Sequence, residues 1–319
     1  MNLNIKLLIF FCSLFSFLVI YGYRVGAESQ SDYILDARFG HGGKGVGEFS
    51  VPHSIVFDSL GNMYVTDNSN NRVQKFTSNG TFITKWGSHG KRDGQFLGPE
   101  GIDVDSGGNI YVADTGNSRI QKFTSNGTFM TKWGSHGKGD GQFSSHAHGV
   151  LVDSFDNVYI TDRFNDRVQK FTSNGTFITK WGSHGKGDGQ FNEPHSSAID
   201  KFGNIYVSDT KNNRVQKFTS NGTFMTKWGS NGTKDGQFGV LLGIDVDSYG
   251  NVYTIDQAKS LIQKFTNNGT FITKWTNPEF GDWALEDIEL DSSDNVYVTD
   301  RVNNEIFKFV QSIYPNPSN

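Results

Sequence analysis

The segment V-Q-K-F-T-S-N-G-T-F-I-T-K-W-G-S, residues 73–88, returns with small changes so that it ends in turn at Trp86, Trp133, Trp181, Trp228 and Trp275. The phenylalanine of its Q-K-F element stands at 76, 123, 171, 218 and 265, with spacings of 47, 48, 47 and 47. A degenerate copy, I-F-K-F, ends 44 residues further on at Phe309. A fixed period of this size marks a unit that cannot bury its apolar surface alone and must stack on its neighbours.

Each unit holds four short runs rich in Val, Ile, Tyr, Phe and Thr, bounded by Gly, Asn, Asp and Ser. In the first copy these are 54–58, 62–67, Arg72–Phe76 and 81–86, designated a to d. Asn79-Gly80 between c and d predicts a two-residue type I′ hairpin. Four antiparallel strands per unit, repeated, predict the blades of an all-β propeller.

The ends of the repeat set the blade number. The sixth unit has runs a (285–291), b (295–300) and c (305–309) but no d. The missing strand stands at the front, where Y-I-L-D-A-R-F-G (33–40) aligns with G-T-F-I-T-K-W-G, Phe39 taking the tryptophan position. The expectation is a six-bladed β-propeller whose N-terminal strand completes the last blade and removes the open sheet edges. Closure matters here, because the only cysteine, Cys12, lies in an apolar N-terminal segment and no disulfide can staple the rest.

The residues G-P-E-G-I-D-V-D-S-G-G-N-I-Y-V-A-D-T-G-N-S-R-I-Q-K-F (98–123) and their sister copies resemble the NHL-repeat family. The resemblance covers about 33–310 and implies the propeller fold. It implies no single function, since the family spans enzymes, sensors and scaffolds.

Several repeated features read as structural. An aspartate ends strand b at 67, 114, 162, 209, 256 and 300, with arginine five residues on at 72, 119, 167 and 214, suited to bracing the b–c turn. The connectors of the type G-S-H-G-K-G-D-G-Q-F carry His41, His89, His136 and His184, with Asn231 in the equivalent place, but no helix start follows to make a phosphate cradle. D-V-D-S-G-G-N (103–109) lacks the closing glutamate of a calcium loop and reads as a β-turn. Six N-G-T sequons, at Asn79, Asn126, Asn174, Asn221, Asn231 and Asn268, are candidate glycosylation acceptors; five are the c–d turns themselves.

One position varies toward reactive side chains. Five residues before the aspartates that end strand a (58, 105, 153, 200, 247 and 291) stand His53, Glu100, His148, His195, Leu242 and Glu286. Strand a lines the channel of a propeller, so these side chains should converge at one mouth. Three imidazoles with carboxylates nearby suit zinc or another divalent metal. P-H-S-I (52–55), H-G-V (148–150) and P-H-S-S-A-I-D (194–200) also resemble the zinc-binding elements of the peptidyl-hydroxyglycine amidating lyase. That resemblance implies His53, His148 and His195 as ligands, while the catalytic tyrosine and arginine of that enzyme match no motif here.

The reading of function follows from what is absent and what is regular. No nucleophile–base pair is recognisable, so the leading expectation is a binding or interaction module for a protein, peptide or glycan. The alternative is a metal-dependent lyase or hydrolase with Glu100 or Glu286 as general base. The net charge of −4 offers no basic face for nucleic acid. Lys6, the apolar run 7–20 and Val25-Gly26-Ala27 predict a signal peptide over 1–27, hence a secreted or extracytoplasmic chain, with an uncleaved membrane anchor as the alternative. The propeller is assigned to 28–310, an exposed tail to 311–319, and a monomer is expected.

Overall fold

The protein is described here by a computed structural model covering residues 32–312. The expected signal peptide and residues 313–319 of the expected tail lie outside the described residues. The chain forms six four-stranded antiparallel sheets. The first comprises Pro52–Phe57, Met63–Asp67, Arg72–Phe76 and Phe82–Trp86. The innermost strands of the other five are Pro99–Val104, Ala147–Val152, Pro194–Ile199, Leu241–Val246 and Leu285–Leu290. Each inner strand packs beside the next, and the last returns to the first, so the sheets close into a ring.

The closing sheet is built as the sequence implied. Tyr33–Phe39 pairs antiparallel with Glu305–Gln311, joining the two ends of the described chain in one blade. That strand c runs on to Gln311, so the tail expected from 311 begins later. Phe39 packs over Gly80 as Trp86 packs over Gly127. Tyr33 stacks on Trp275 with ring centroids 4.1 Å apart.

The cores lie between blades. Val56, Tyr64 and Val73 of the first sheet share one cluster with Ile102, Ile110, Val112 and Phe123 of the second. Each connector contributes a buried phenylalanine to such a cluster: Phe49, Phe96, Phe143, Phe191 and Phe238. Strand c supplies the clamp that holds it. Arg72 Nε donates to Asp67 Oδ2 at 2.7 Å, while its two terminal nitrogens donate to the carbonyls of Lys44, Gly45 and Glu48. The aspartate–arginine pair thus braces both the b–c turn and the connector before it. In the fifth blade, where Leu261 replaces arginine, Lys259 reaches Asp256 at 2.7 Å and the Gln237 carbonyl at 3.1 Å.

The c–d turn corrects one expectation. A type I′ turn needs positive φ at both central residues. Here Gly80 has φ +82° and Asn79 is not in the left-handed region. Gly80 N–H donates to the Thr77 carbonyl and Thr77 N–H to the Thr81 carbonyl, which is a type I turn closed by a glycine bulge. A separate bulge follows in strand d, where Lys75 pairs with Thr84 and Phe76 with Phe82, leaving Ile83 as the extra residue. The asparagine serves the bend and the glycine serves the left-handed residue after it. The 103–109 segment is a β-turn as expected, with Gly108 N–H donating to the Asp105 carbonyl.

The turn glycines have a second duty. A Cβ on Gly175 would lie 2.4 Å from the Trp133 ring, and its φ is +84°. Gly189 has φ +74° with nothing within 4 Å. Gly175→Ala is therefore expected to destabilise by about 3 kcal/mol, combining backbone strain with overpacking. Gly189→Ala should cost about 1 kcal/mol, from backbone strain alone. Denaturant midpoints of the two variants measure the difference; equal losses would remove the ring contact as a cause.

Candidate metal centre at the channel mouth

Every inner strand starts with the same irregularity. In the first blade Pro52 pairs with Asp67 and Ile55 with Val65, so His53 and Ser54 together face Thr66. Such a bulge re-aims the side chain at its head. The same shift occurs at the equivalent place in the other five blades. Strand-b threonines fix the bulged backbone across blade boundaries. Thr66 Oγ1 donates to the Glu100 carbonyl at 2.7 Å and Thr299 Oγ1 to the His53 carbonyl at 2.9 Å. The next residue is small in most blades because the neighbouring inner strand is so close. A Cβ on Gly101 would lie 2.1 Å from the His148 carbonyl oxygen.

The five polar heads meet. His53, His148, His195 and Glu286 are each at least 94% buried. His53 Nε2 lies 3.3 Å and His195 Nε2 lies 3.2 Å from the same oxygen, Glu286 Oε1. His148 Nε2 is 3.6 Å from Glu100 Oε2, and its ring centroid is 3.6 Å from that of His195. The donor atoms of His148, His195 and Glu286 all fall within 4.8 Å of one another, as do those of His53, Glu100 and His148. Blades one, three and four are unevenly placed round the ring, yet their histidines touch because the axis is within one side chain's reach of every blade. Leu242, the sixth head, is buried.

The b–c turns of the same face support this group. Arg301 Nη1 is 3.3 Å from Glu286 Oε2, and Gln257 Nε2 donates to that oxygen at 3.2 Å. Thr115 Oγ1 donates to Glu100 Oε2 at 3.1 Å. Arg163 rests against Glu193 at 3.0 Å. Sequence reasoning missed these residues, although one signal was available. The residue after each strand-b aspartate also varies: Asn68, Thr115, Arg163, Thr210, Gln257 and Arg301.

Environment separates the two glutamates. Burial raises Glu286, but His53, His195 and Arg301 outweigh it and hold its pKa at about 2. Burial pushes Glu100 up from the usual range. Burial also lowers all three histidines, His148 most clearly, with His195 and His53 adding to the effect there. The imidazoles are thus neutral at pH 7, with lone pairs available to an electrophile. Nδ1 of His53 and of His195 is buried with no hydrogen-bond partner, so the polar commitment of both rings is at Nε2.

A tetrahedral zinc with bonds of about 2.1 Å sets its donors about 3.4 Å apart. Pair by pair, His195 and His53 to Glu286 at 3.2 and 3.3 Å and His148 to Glu100 at 3.6 Å lie near that spacing, within donor groups that span up to 4.8 Å. The mouth opens into a cavity of about 190 Å³, lined by His53, His148, His195 and Glu286 and by Asp103, Asp245, Asp287 and Glu289. The sequons stand elsewhere. Asn79, Asn126, Asn174, Asn221 and Asn268 are exposed on c–d turns, and Asn231 is exposed on a connector.

The deeper acids form a layer that sequence reasoning did not single out. Asp103 accepts from the Val152 N–H of the next blade at 2.6 Å, and Asp245 from Leu290 N–H at 2.7 Å. Asp287, standing where the other blades have Gly or Ser, accepts from Ile55 N–H at 3.3 Å. They face the lumen but lie deep within the protein. Burial raises their pKa values to about 7, 8 and 7 in turn, and raises Glu289 well above its ordinary value. Each therefore keeps a proton in the folded chain that the unfolded chain releases above pH ~4, so stability falls as pH rises from about 4 toward neutrality. Glu289→Gln, which removes one such charge, should raise Tm by about 3 °C at pH 8 and leave it nearly unchanged at pH 4. Thermal unfolding at the two pH values tests this; an equal shift at both would contradict it.

The NHL repeat profile matches residues 49–76, 96–123 and 191–218. Similar solved structures include virginiamycin B lyase from Staphylococcus aureus, at 12% identity and TM-score 0.61, covering 87% of this chain and 99% of that one. A streptogramin B lyase is 17% identical at TM-score 0.60, covering 82% and 79%. A gluconolactonase from Xanthomonas campestris is 13% identical at TM-score 0.62, covering 83% and 87%. At these identities the likeness is one of fold. The chain is a six-bladed β-propeller that carries NHL repeats at residues 49–76, 96–123 and 191–218.

Proposed function

We propose that this propeller is a metal-dependent lyase or hydrolase working at the channel mouth. One observation carries the reading: the heads of five inner strands form two overlapping donor groups, His53–Glu100–His148 and His148–His195–Glu286, each with its donor atoms within 4.8 Å of one another. His53, His148 and His195 would hold a zinc-type ion, with Glu286 beside them. Such an ion supplies Lewis-acid polarisation and an acidified water. Glu100, oriented by Thr115, stands beside His148 to take up a proton from a bound group. Glu286, ionised between two imidazoles and Arg301, balances positive charge at the centre. Arg163 and Arg301 at the rim offer guanidinium groups to a substrate's oxygens. The lyases and lactonase of similar fold support an enzyme reading only as analogy.

A specific observation favours the second reading, a binding module with a polar plug at its axis. Metal-bound histidines normally donate their other N–H to a carboxylate or carbonyl. His53 and His195 lack such a partner at Nδ1. Glu286 with its two histidines also closes a hydrogen-bonded group unaided.

Elemental analysis of the purified protein separates the two. The metalloenzyme reading expects about one zinc or other divalent ion per chain, lost at least tenfold in His148→Ala while the β-sheet circular dichroism is retained. Traces of metal in both proteins would overturn it and leave the binding module.

A further inference from the structure

Blades three and six face each other across the axis, three places apart in the ring of inner strands. Their b–c turns share a pattern that the other four lack, an arginine and then a large apolar residue: Arg163-Phe164 and Arg301-Val302. The other turns begin Asn68-Ser69, Thr115-Gly116, Thr210-Lys211 and Gln257-Ala258. Phe164 is 45% exposed and Val302 55%. Blade three also carries an added residue. His148 stands five places after its connector phenylalanine, Phe143, where His53, Glu100 and His195 stand four after theirs. Within this longer connector His146 packs its ring 4.6 Å from that of Phe164, and the Arg163 guanidinium lies 5.3 Å from the centre of the same ring.

The two mouth arginines keep donors that the repeat's structural arginines spend. Arg72, Arg119, Arg167 and Arg214 each make four hydrogen bonds, one to an aspartate and three to connector carbonyls. Arg163 donates once, from Nη2 to Glu193 at 3.0 Å, and its Nε is buried with no partner. Among the described residues the Arg301 guanidinium pairs only with Glu286, at 3.3 Å. A buried donor without an acceptor is costly, and a ligand oxygen removes that cost. Both arginines bear on the histidine heads. Arg301 touches the carboxylate that His53 and His195 share, and the Arg163 charge helps to hold all three imidazoles neutral.

Charge points the same way. Glu193 and Glu286 cancel the two arginines, so a divalent ion among the histidines leaves the mouth doubly positive, or singly positive with Glu100 ionised. We infer that the mouth takes the phosphoryl group of a phosphate monoester between Arg163 and Arg301, with Phe164 and Val302 against the apolar body of the ester. The inference rests on the metalloenzyme reading, which supplies the net positive charge. A planar carboxylate presents two oxygens to one side, where a single guanidinium can hold both. A phosphoryl group presents three oxygens, enough for two opposed guanidiniums and the histidine centre together.

One preparation of the purified protein gives both readouts, its divalent-ion content by elemental analysis and its affinity for phenyl phosphate by titration calorimetry. With the ion present, phenyl phosphate should bind about tenfold more tightly than phenylacetate or inorganic phosphate. Arg163→Gln and Arg301→Gln should each weaken phenyl phosphate by about tenfold while retaining the ion and the β-sheet circular dichroism. Lys211→Gln, which removes a cation from the b–c turn of blade four, should leave the affinity unchanged. Absence of the ion from the wild type overturns the metalloenzyme reading and this inference with it. Presence of the ion without phenyl phosphate binding overturns this inference alone. So does phenylacetate or inorganic phosphate binding as tightly as phenyl phosphate, or Lys211→Gln weakening it as much as the arginine variants do.

Discussion

No sheet in this ring owns a core. Each of the six apolar clusters is shared by two neighbours, so a blade is stable only between two others. That sharing dictates the rest. It needs phenylalanine from each connector as a filler, and it needs arginine or lysine to hold the connector down. It also forces six inner strands together round one axis, close enough that Gly101 has no room for a side chain. Convergence of the histidines follows from this crowding and needs no special loop.

Much of this was legible in the residues, and the reasons are physical. The b–c clamp was visible because aspartate and arginine recur five apart in blade after blade, and only a backbone constraint demands that. The ring heads were visible for the opposite reason. At His53, Glu100, His148, His195, Leu242 and Glu286 the repeat lets chemistry vary while the fold stays fixed. The turn type was misread because Asn-Gly serves two hairpins, and the bulge that separates them is set by pairing across strands. Arg163 and Arg301 were hidden because the position after the strand-b aspartate varies freely in type, and only the folded blade brings Arg301 of the b–c turn back over Glu286 at the head of its own inner strand.

The lumen sorts its charges along its length. At one mouth, neutral imidazoles surround an ionised Glu286 held by Arg301. Deeper in, Asp103, Asp245 and Asp287 accept backbone N–H groups from neighbouring inner strands. The first layer gathers His53, His195 and Arg301 round Glu286, and the second stitches blades together. Glu286 and the deeper acids differ in protonation because Glu286 has Arg301 and two imidazoles beside it, whereas burial and neighbouring acids raise the others.

The closing strand ties architecture to time. Tyr33–Phe39 finds its partner, Glu305–Gln311, only when nearly the whole chain has left the ribosome. Until then the first strand waits unpaired, and the first and fifth blades each leave an apolar face open to water. The pairing that completes the sixth sheet therefore spans almost the longest sequence separation available, which slows assembly and makes it all-or-none. Once made, the joint leaves no loose blade from which unravelling can start, and a protein without a single disulfide in its ring gains its persistence from the slowness of reopening that one seam.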